Sequence, residues 1–312
     1  MTHLTGTPGP AGRPAVRTRR LTKRYGSLKA LDSLDLTLPA DRITGLLGRN
    51  GAGKTTLMQV LTGQIFPDDG EVEVFGERPA ENPRVLARES FIAEAQKYPV
   101  TFHPRHVLAV APWFYQNWDE DLAGSLVKQF GLPMDRPISK LSRGERSMVG
   151  IIIGLAARAP LTFFDEPYLG LDAVARREFY DVLLADYAEH PRTIVISTHL
   201  IDEISPLLEH IVVIDHGRVL IDSEADAARG SATMVSGPAE AVERFIESRP
   251  VLARHRIGRL GRATIGAAYD TLAPAAQQAG LSAEPITLQQ LLIDRTTSPG
   301  SRTEPSDQGA LS

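Results

Sequence analysis

Gly48-Arg49-Asn50-Gly51-Ala52-Gly53-Lys54-Thr55-Thr56 (GRNGAGKTT) decides the fold, because it matches the pattern G-x-x-x-x-G-K-[ST] at Gly48, Gly53, Lys54 and Thr55. Glycines at this spacing let successive backbone N–H groups turn inward as an anion nest, where a Cβ would block the approach of oxygen. A lysine directly behind the nest reaches the β- and γ-phosphates of a nucleotide, and the next hydroxyl, Thr55, ligates Mg²⁺. RITGLLG, ending at Gly48, reads as an apolar strand, and TTLMQVLTG, starting at Thr55, reads as an amphipathic helix. That helix places the positive end of its dipole under the phosphates. The whole stretch, Arg49, Asn50, Gly51, Ala52 and Thr56 included, is therefore expected to bind a nucleoside triphosphate with Mg²⁺.

Outward from the loop, short apolar β-type runs alternate with longer helical stretches from Val16 to about Ile221, the pattern of an α/β domain. TIVISTH (193–199), IVVIDH (211–216) and LTFFDEP (161–167) read as buried parallel strands. Between about Arg105 and Leu155, apolar residues recur at three and four, as in Leu122, Leu126 and Phe130, which predicts a mostly helical insertion. After Asp222 the chain is Ala-rich and weakly patterned, with ATMVSG and ITLQQLLI as a strand and a helix of a small α+β appendage. The expected boundaries are a disordered tail over 1–15, a nucleotide-binding domain over 16–222 with a helical subdomain over about 97–155, an appendage over 223–297, and a second disordered tail over 298–312. Both tails are rich in Gly, Pro, Ser or Thr and too poor in apolar residues to stay ordered.

Composition narrows the function. Lys plus Arg is 34 against 38 Asp plus Glu, a formal charge of −4, so no nucleic-acid partner is expected. Cysteine is absent, which excludes disulfide scaffolds, thiolate zinc sites and cysteine nucleophiles. The longest apolar run, Met148–Ala157, falls short of the roughly 18–20 residues of a spanning helix, and the first residues carry no secretory h-region. A soluble, intracellular chain is expected.

Further segments decide which kind of phosphate-loop protein this is. Ser142 in LSRGE (141–145) reads as a helix N-cap, and Gly144 beside it leaves N–H groups free at the helix start, suited to a phosphate. Asp165 and Glu166 close the strand LTFFDE, 23 residues after Ser142; neighbouring strand side chains face opposite ways, so the two carboxylates converge only if the strand ends there. Gly170-Leu171-Asp172 follows, and His199 closes TIVISTH, 33 residues beyond Glu166. Tyr25 in LTKRYG lies 23 residues before Gly48 and offers a flat π face, and Gln96 stands in FIAEAQKYP.

In this order and at these separations the segments resemble the nucleotide-binding subunit of an ABC transporter, over about two thirds of the chain. The resemblance implies an α/β P-loop NTPase cassette: a RecA-like core with an N-terminal antiparallel β part and a helical insertion, here with the C-terminal appendage added. It implies that Tyr25 stacks on adenine, that Asp165 holds Mg²⁺, that Glu166 orients the attacking water, and that His199 bonds the γ-phosphate. Gln96 contacts the Mg²⁺ and water and senses the membrane partner. Ser142, Arg143, Gly144, Glu145 and Asp172 act in trans, closing over ATP held by a second cassette, a copy of this chain or a paralogue. The sequence departs from the family's LSGGQ at Arg143, which can face solvent or phosphate, and at Glu145, which exchanges an amide for a charge.

The implied activity is ATP hydrolysis driving cassette dimerisation. The implied partner is a separate transmembrane permease, docked near Gln96 and the aromatic run Pro112-Trp113-Phe114-Tyr115, which is equally open to reading as local core. The region FYQNWDEDLAGSLVKQFGL and the appendage resemble bacterial drug- and peptide-resistance exporters, placing the chain in the cytoplasm on the inner face of the membrane. The alternative is a soluble ABC ATPase of ribosomes or nucleic acid. The ribosomal class carries two cassettes in one chain, and the chromosome class separates its half-sites by hundreds of coiled-coil residues, whereas here Lys54 and Ser142 are 88 apart.

Overall fold

Alternating apolar residues set the first hairpin. β1 (Val16–Tyr25) and β2 (Leu28–Leu38) pair antiparallel across Gly26, whose φ of +59° suits the turn, and bury Val16, Leu21, Leu31, Leu34, Leu36 and Leu38. β3 (Ile43–Leu47) is buried at every position and leads through the loop into α1 (Lys54–Leu61). β4 (Asp69–Val74) returns to the free edge of β1, completing an antiparallel sheet of order β2-β1-β4. The structure, a computed structural model, describes residues 14–94 and 96–297. The tail 298–312 and residues 1–13 lie outside the described residues. Ala15, expected in the disordered tail, is instead fully buried: its N–H donates to Leu38 O at 3.0 Å and its carbonyl accepts from Phe75 N at 2.8 Å. The ordered domain thus starts before the first β-patterned residue.

After α2 (Pro83–Leu86) and β5 (Glu89–Ile92) the chain turns helical, through α3 (Pro104–Val110), α4 (Glu120–Gln129) and α5 (Arg143–Ala156). β6 (Leu161–Asp165), α6 (Ala173–Glu189), β7 (Thr193–Thr198), α7 (Ile201–Ile204), β8 (His210–Asp215) and β9 (Arg218–Glu224) complete the domain. The central sheet runs β5-β6-β7-β3-β8-β9, parallel throughout except for the β8–β9 pair. β6, β7 and β3 are therefore parallel neighbours whose carboxyl ends lie together, and in such sheets that end carries the ligand crevice.

Contacts divide the chain between Ala225 and Asp226, three residues beyond the expected boundary. β9 extends the first unit, pairing Glu224 with His210, and Ala225 N donates to Glu209 O at 2.9 Å. The second unit follows α8 (Ala225–Arg229) with β10 (Thr233–Pro238), α9 (Ala239–Ile246), β11 (Val251–Ile257), β12 (Leu260–Ile265), α10 (Tyr269–Gln278), β13 (Ser282–Pro285) and α11 (Leu288–Thr297). Its antiparallel sheet of order β11-β12-β10-β13 is a split β-α-β-β-α-β arrangement around Val235, Val242, Phe245, Ile265 and Leu281. Among the described residues no helix is long and apolar enough to cross a membrane.

Candidate functional site

The loop between β3 and α1 depends on its glycines. Gly48, Gly51 and Gly53 have φ of +153°, +81° and +111°, and a Cβ on Gly53 would stand 2.5 Å from the carbonyl of Ala30 on β2. The first hairpin is thus pressed against the loop. Arg49, Asn50 and Gly51 are exposed, while Ala52 is buried. The first turn of α1 presents backbone N–H groups that no intrahelical carbonyl can reach, at Lys54, Thr55 and Thr56. Lys54 is buried, and its ammonium donates to Gly48 O at 2.9 Å and Arg49 O at 3.2 Å. Burial pulls its pKa below the ordinary lysine value, against the opposing pull of Glu166 and Asp165.

The ends of β6 and β7 bring the acids to the same place. Thr55 Oγ1 donates to Asp165 Oδ2 at 2.7 Å, and Ser197 Oγ donates to Asp165 Oδ1 at 2.5 Å. Ser197 Oγ also accepts the N–H of Glu166 at 3.0 Å. Glu166 is the first residue beyond β6 and takes a left-handed φ of +47°, so the two adjacent carboxylates need not face opposite ways. Glu166 Oε1 lies 3.8 Å from Lys54 Nζ, and Oε2 lies 2.6 Å from His199 Nδ1. Lys54, Thr55, Asp165, Glu166 and His199 therefore form one chain of contacts at the carboxyl ends of three adjacent strands.

Other expected site residues stand apart from that cluster. Tyr25 is half exposed at the hairpin end of β1, with Lys23 Nζ 5.8 Å from its ring centre. Gln96 is exposed just after β5, and its Oε1 accepts Ala93 N at 3.3 Å; among the described residues it bonds neither Thr55 nor Asp165. Ser142 caps α5 in a reciprocal box: Ser142 Oγ accepts Glu145 N at 3.1 Å, and Glu145 Oε2 accepts Ser142 N at 2.7 Å. That backbone bond, with Arg136 at 2.8 Å, holds the Glu145 carboxyl below the usual carboxylate range. Arg143 pairs with Glu94 at 2.8 Å. Gly144 is buried against Gly170, close enough that a Cβ would stand 2.5 Å from Gly170 O, and Ser147 Oγ donates to Leu169 O at 2.7 Å. Asp172 caps α6 by accepting Ala175 N at 2.9 Å. Among the described residues no hydrogen bond or ion pair joins 142–145 to the loop 48–56.

Of the aromatic run, Trp113 is 81% and Phe114 69% exposed, so these rings are not core; Tyr115 is half-buried, with its hydroxyl 3.4 Å from Ser90 Oγ. Sequence reading missed Ser197, which orients Asp165, and Tyr168, which is buried behind His199. Polar residues at a buried strand end or turn were the available signal.

A family model described as "ABC transporter" matches residues 31–169. The chain is 32% identical over 208 residues to the bacitracin transport ATP-binding protein BcrA of Bacillus licheniformis, covering 66% of this chain and 68% of that one. It is 31% identical over 225 residues to the daunorubicin/doxorubicin resistance ATP-binding protein DrrA of Streptomyces peucetius, covering 70% and 67%. It is also 31% identical over 217 residues to an aliphatic sulfonates import ATP-binding protein of Nocardia farcinica, covering 69% and 84%. A solved ATP-binding subunit of an ABC transporter superposes over 69% of this chain and 92% of its own, with a TM-score of 0.62 at 23% identity. With relatives of that identity matched over two thirds of their length, the chain belongs to the ABC transporter family, as one of its ATP-binding, ATP-hydrolysing subunits.

Proposed function

We propose that this subunit energises an exporter, acting with a separate transmembrane permease and a second cassette from the cytoplasmic face of the membrane. One relative is named for daunorubicin and doxorubicin resistance, which supports the direction, and another for bacitracin transport. Those two leave about a third of their length outside the match, as this chain does, whereas the sulfonate importer leaves about a sixth. The exposed rings of Trp113 and Phe114 give the permease an apolar surface close in sequence to Gln96.

The observation that carries the catalytic reading is the contact of Glu166 with both His199 and Lys54. Lys54 and the N–H groups of the loop and of α1 bind the phosphates. Thr55 and Asp165 offer a hydroxyl and a carboxylate 2.7 Å apart, the hard oxygen donors that Mg²⁺ takes, and these two would hold it. When bound, the ion neutralises charge on the phosphate oxygens. Glu166 accepts a proton from water as the water oxygen attacks the γ-phosphorus, the bond to the β-phosphate oxygen breaks, and ADP and phosphate form. His199, held by Glu166, faces the γ-phosphate, and Tyr25 stacks on adenine. Among the described residues, Ser142, Arg143, Gly144, Glu145 and Asp172 make no bond to the chain's own loop 48–56, which supports their closing over the nucleotide of the second cassette. Gln96, exposed at the same end of the sheet, would be the contact toward Mg²⁺ and the permease.

Glu166→Gln tests this directly. Hydrolysis should fall on the order of a hundredfold or more while ATP binding persists and a long-lived dimer accumulates in gel filtration. Turnover close to the unsubstituted protein would remove Glu166 from its role.

A further inference from the structure

Tyr168 lies two residues beyond Glu166 and is buried, with 2% of its surface exposed. Its hydroxyl accepts the backbone N–H of His199 at 3.1 Å and stands 2.7 Å from Thr198 Oγ1. The phenol and the Thr198 hydroxyl share one hydrogen bond, in which either oxygen can donate, and Thr198 Oγ1 also accepts Leu200 N at 2.9 Å. The aromatic ring meets the imidazole edge-on, with centroids 5.9 Å apart and an interplanar angle of 61°. One hydroxyl therefore ties down Thr198 and His199 where β7 ends, and Thr198 in turn holds Leu200.

The grip bears on chemistry because of what it leaves for the imidazole to do. His199 Nδ1 lies 2.6 Å from Glu166 Oε2 and 3.5 Å from the Tyr168 hydroxyl. A carboxylate only accepts, so the ring nitrogen donates to Glu166, which fixes the ring's orientation and turns Nε2 away from the acid. A rotation about the His199 backbone would break that alignment, and the bond from His199 N to the phenol opposes such a rotation. Burial pushes the phenol pKa up to about 12, so it remains a neutral hydroxyl able to accept and donate at once.

We propose that Tyr168 is a positioning residue for hydrolysis: its hydroxyl locks the backbone of His199 so that the imidazole meets Glu166 and the γ-phosphate together. The proposal rests on the roles given above to Glu166 and His199. Tyr168 does not touch nucleotide; it acts through His199.

The test is a kinetic cycle on the full chain with its permease. Tyr168→Phe keeps the ring and removes the hydroxyl; kcat should fall roughly tenfold, the worth of one buried hydrogen bond, with KM for ATP changed less than about twofold. Thr198→Val, which removes the other side-chain partner of the phenol, should lower kcat in the same way. In a His199→Ala background, Tyr168→Phe should cost nothing further in single-turnover hydrolysis, because the residue it positions is gone. Unchanged kcat in soluble, folded Tyr168→Phe would overturn the proposal, as would an undiminished tenfold loss in the His199→Ala background. If Tyr168→Phe proves insoluble, Thr198→Val decides alone by the same two measurements. Failure of the underlying reading looks different: Glu166→Gln and His199→Ala would then retain turnover themselves.

Discussion

Thr55, the second residue of α1, donates its hydroxyl to Asp165, the last residue of β6, at 2.7 Å, and Ser197 holds the other oxygen of the same carboxylate. The acid is thereby fixed at both ends by two elements that reach it from different parts of the chain. Asp165→Asn preserves the shape but removes the charge, and turnover should fall by on the order of a hundredfold with a raised Mg²⁺ requirement. ATPase assays across a magnesium titration check this; an unshifted titration would separate Asp165 from the ion.

Ser197→Ala leaves Asp165 Oδ1 and the Glu166 N–H without their shared partner in a buried place. Folding stability should drop by about 1–3 kcal/mol. Apparent Mg²⁺ affinity should fall by roughly tenfold, since residues that orient a metal-binding carboxylate commonly matter that much. Chemical unfolding and magnesium-dependent ATPase rates read the two effects separately.

Glu145 occupies a family position usually held by an amide, and the structure gives it work as the second half of the α5 capping box. Gln at the third helical position makes the same box, so Glu145→Gln should keep thermal stability within a few tenths of a kcal/mol. Glu145→Ala should lose about 0.5–2 kcal/mol. Thermal melts of the pair would contradict this if Gln were as damaging as Ala.

Glu89, the first residue of β5, is buried with neither carboxylate oxygen hydrogen-bonded among the described residues. Burial pushes its pKa up to about 8, far above the roughly 4.3 of an unfolded glutamate. The folded state therefore holds a proton that the unfolded chain releases: the stability tied to this group is complete below about pH 4.3 and is lost as the pH climbs toward about 8. Glu89→Gln should remove that slope, so the stability gap in its favour should widen by on the order of 3 kcal/mol between about pH 5 and pH 7.5. Urea titrations of both proteins at the two pH values test it; parallel pH dependence would refute it.

Legibility from sequence followed the range of the interactions. The loop 48–56, the Asp165-Glu166 pair and the buried strands rest on local spacing and periodicity, and all were readable. Ser197 and Tyr168 were not, because a hydroxyl inside an apolar strand or turn reads as an interruption until the facing strand is known. Glu145 read as a lost amide contact, although its spacing from Ser142 already spelled a capping box. In the second unit, β11 is exposed along most of its length and lacks apolar alternation, so the sequence shows one strand and one helix there but not the β-α-β-β-α-β arrangement. The composition around Ala15 reads as a tail, whereas two backbone hydrogen bonds, which composition cannot register, hold it in place.

The close packing of Gly144 on Gly170, with Ser147 latched to Leu169, welds the tip of one helix to the turn before the next. Ser142 and Asp172 therefore ride on a single stiff ledge. Any push that reaches one must displace the other in step, so an approaching subunit would meet a unified edge rather than two independent fingers.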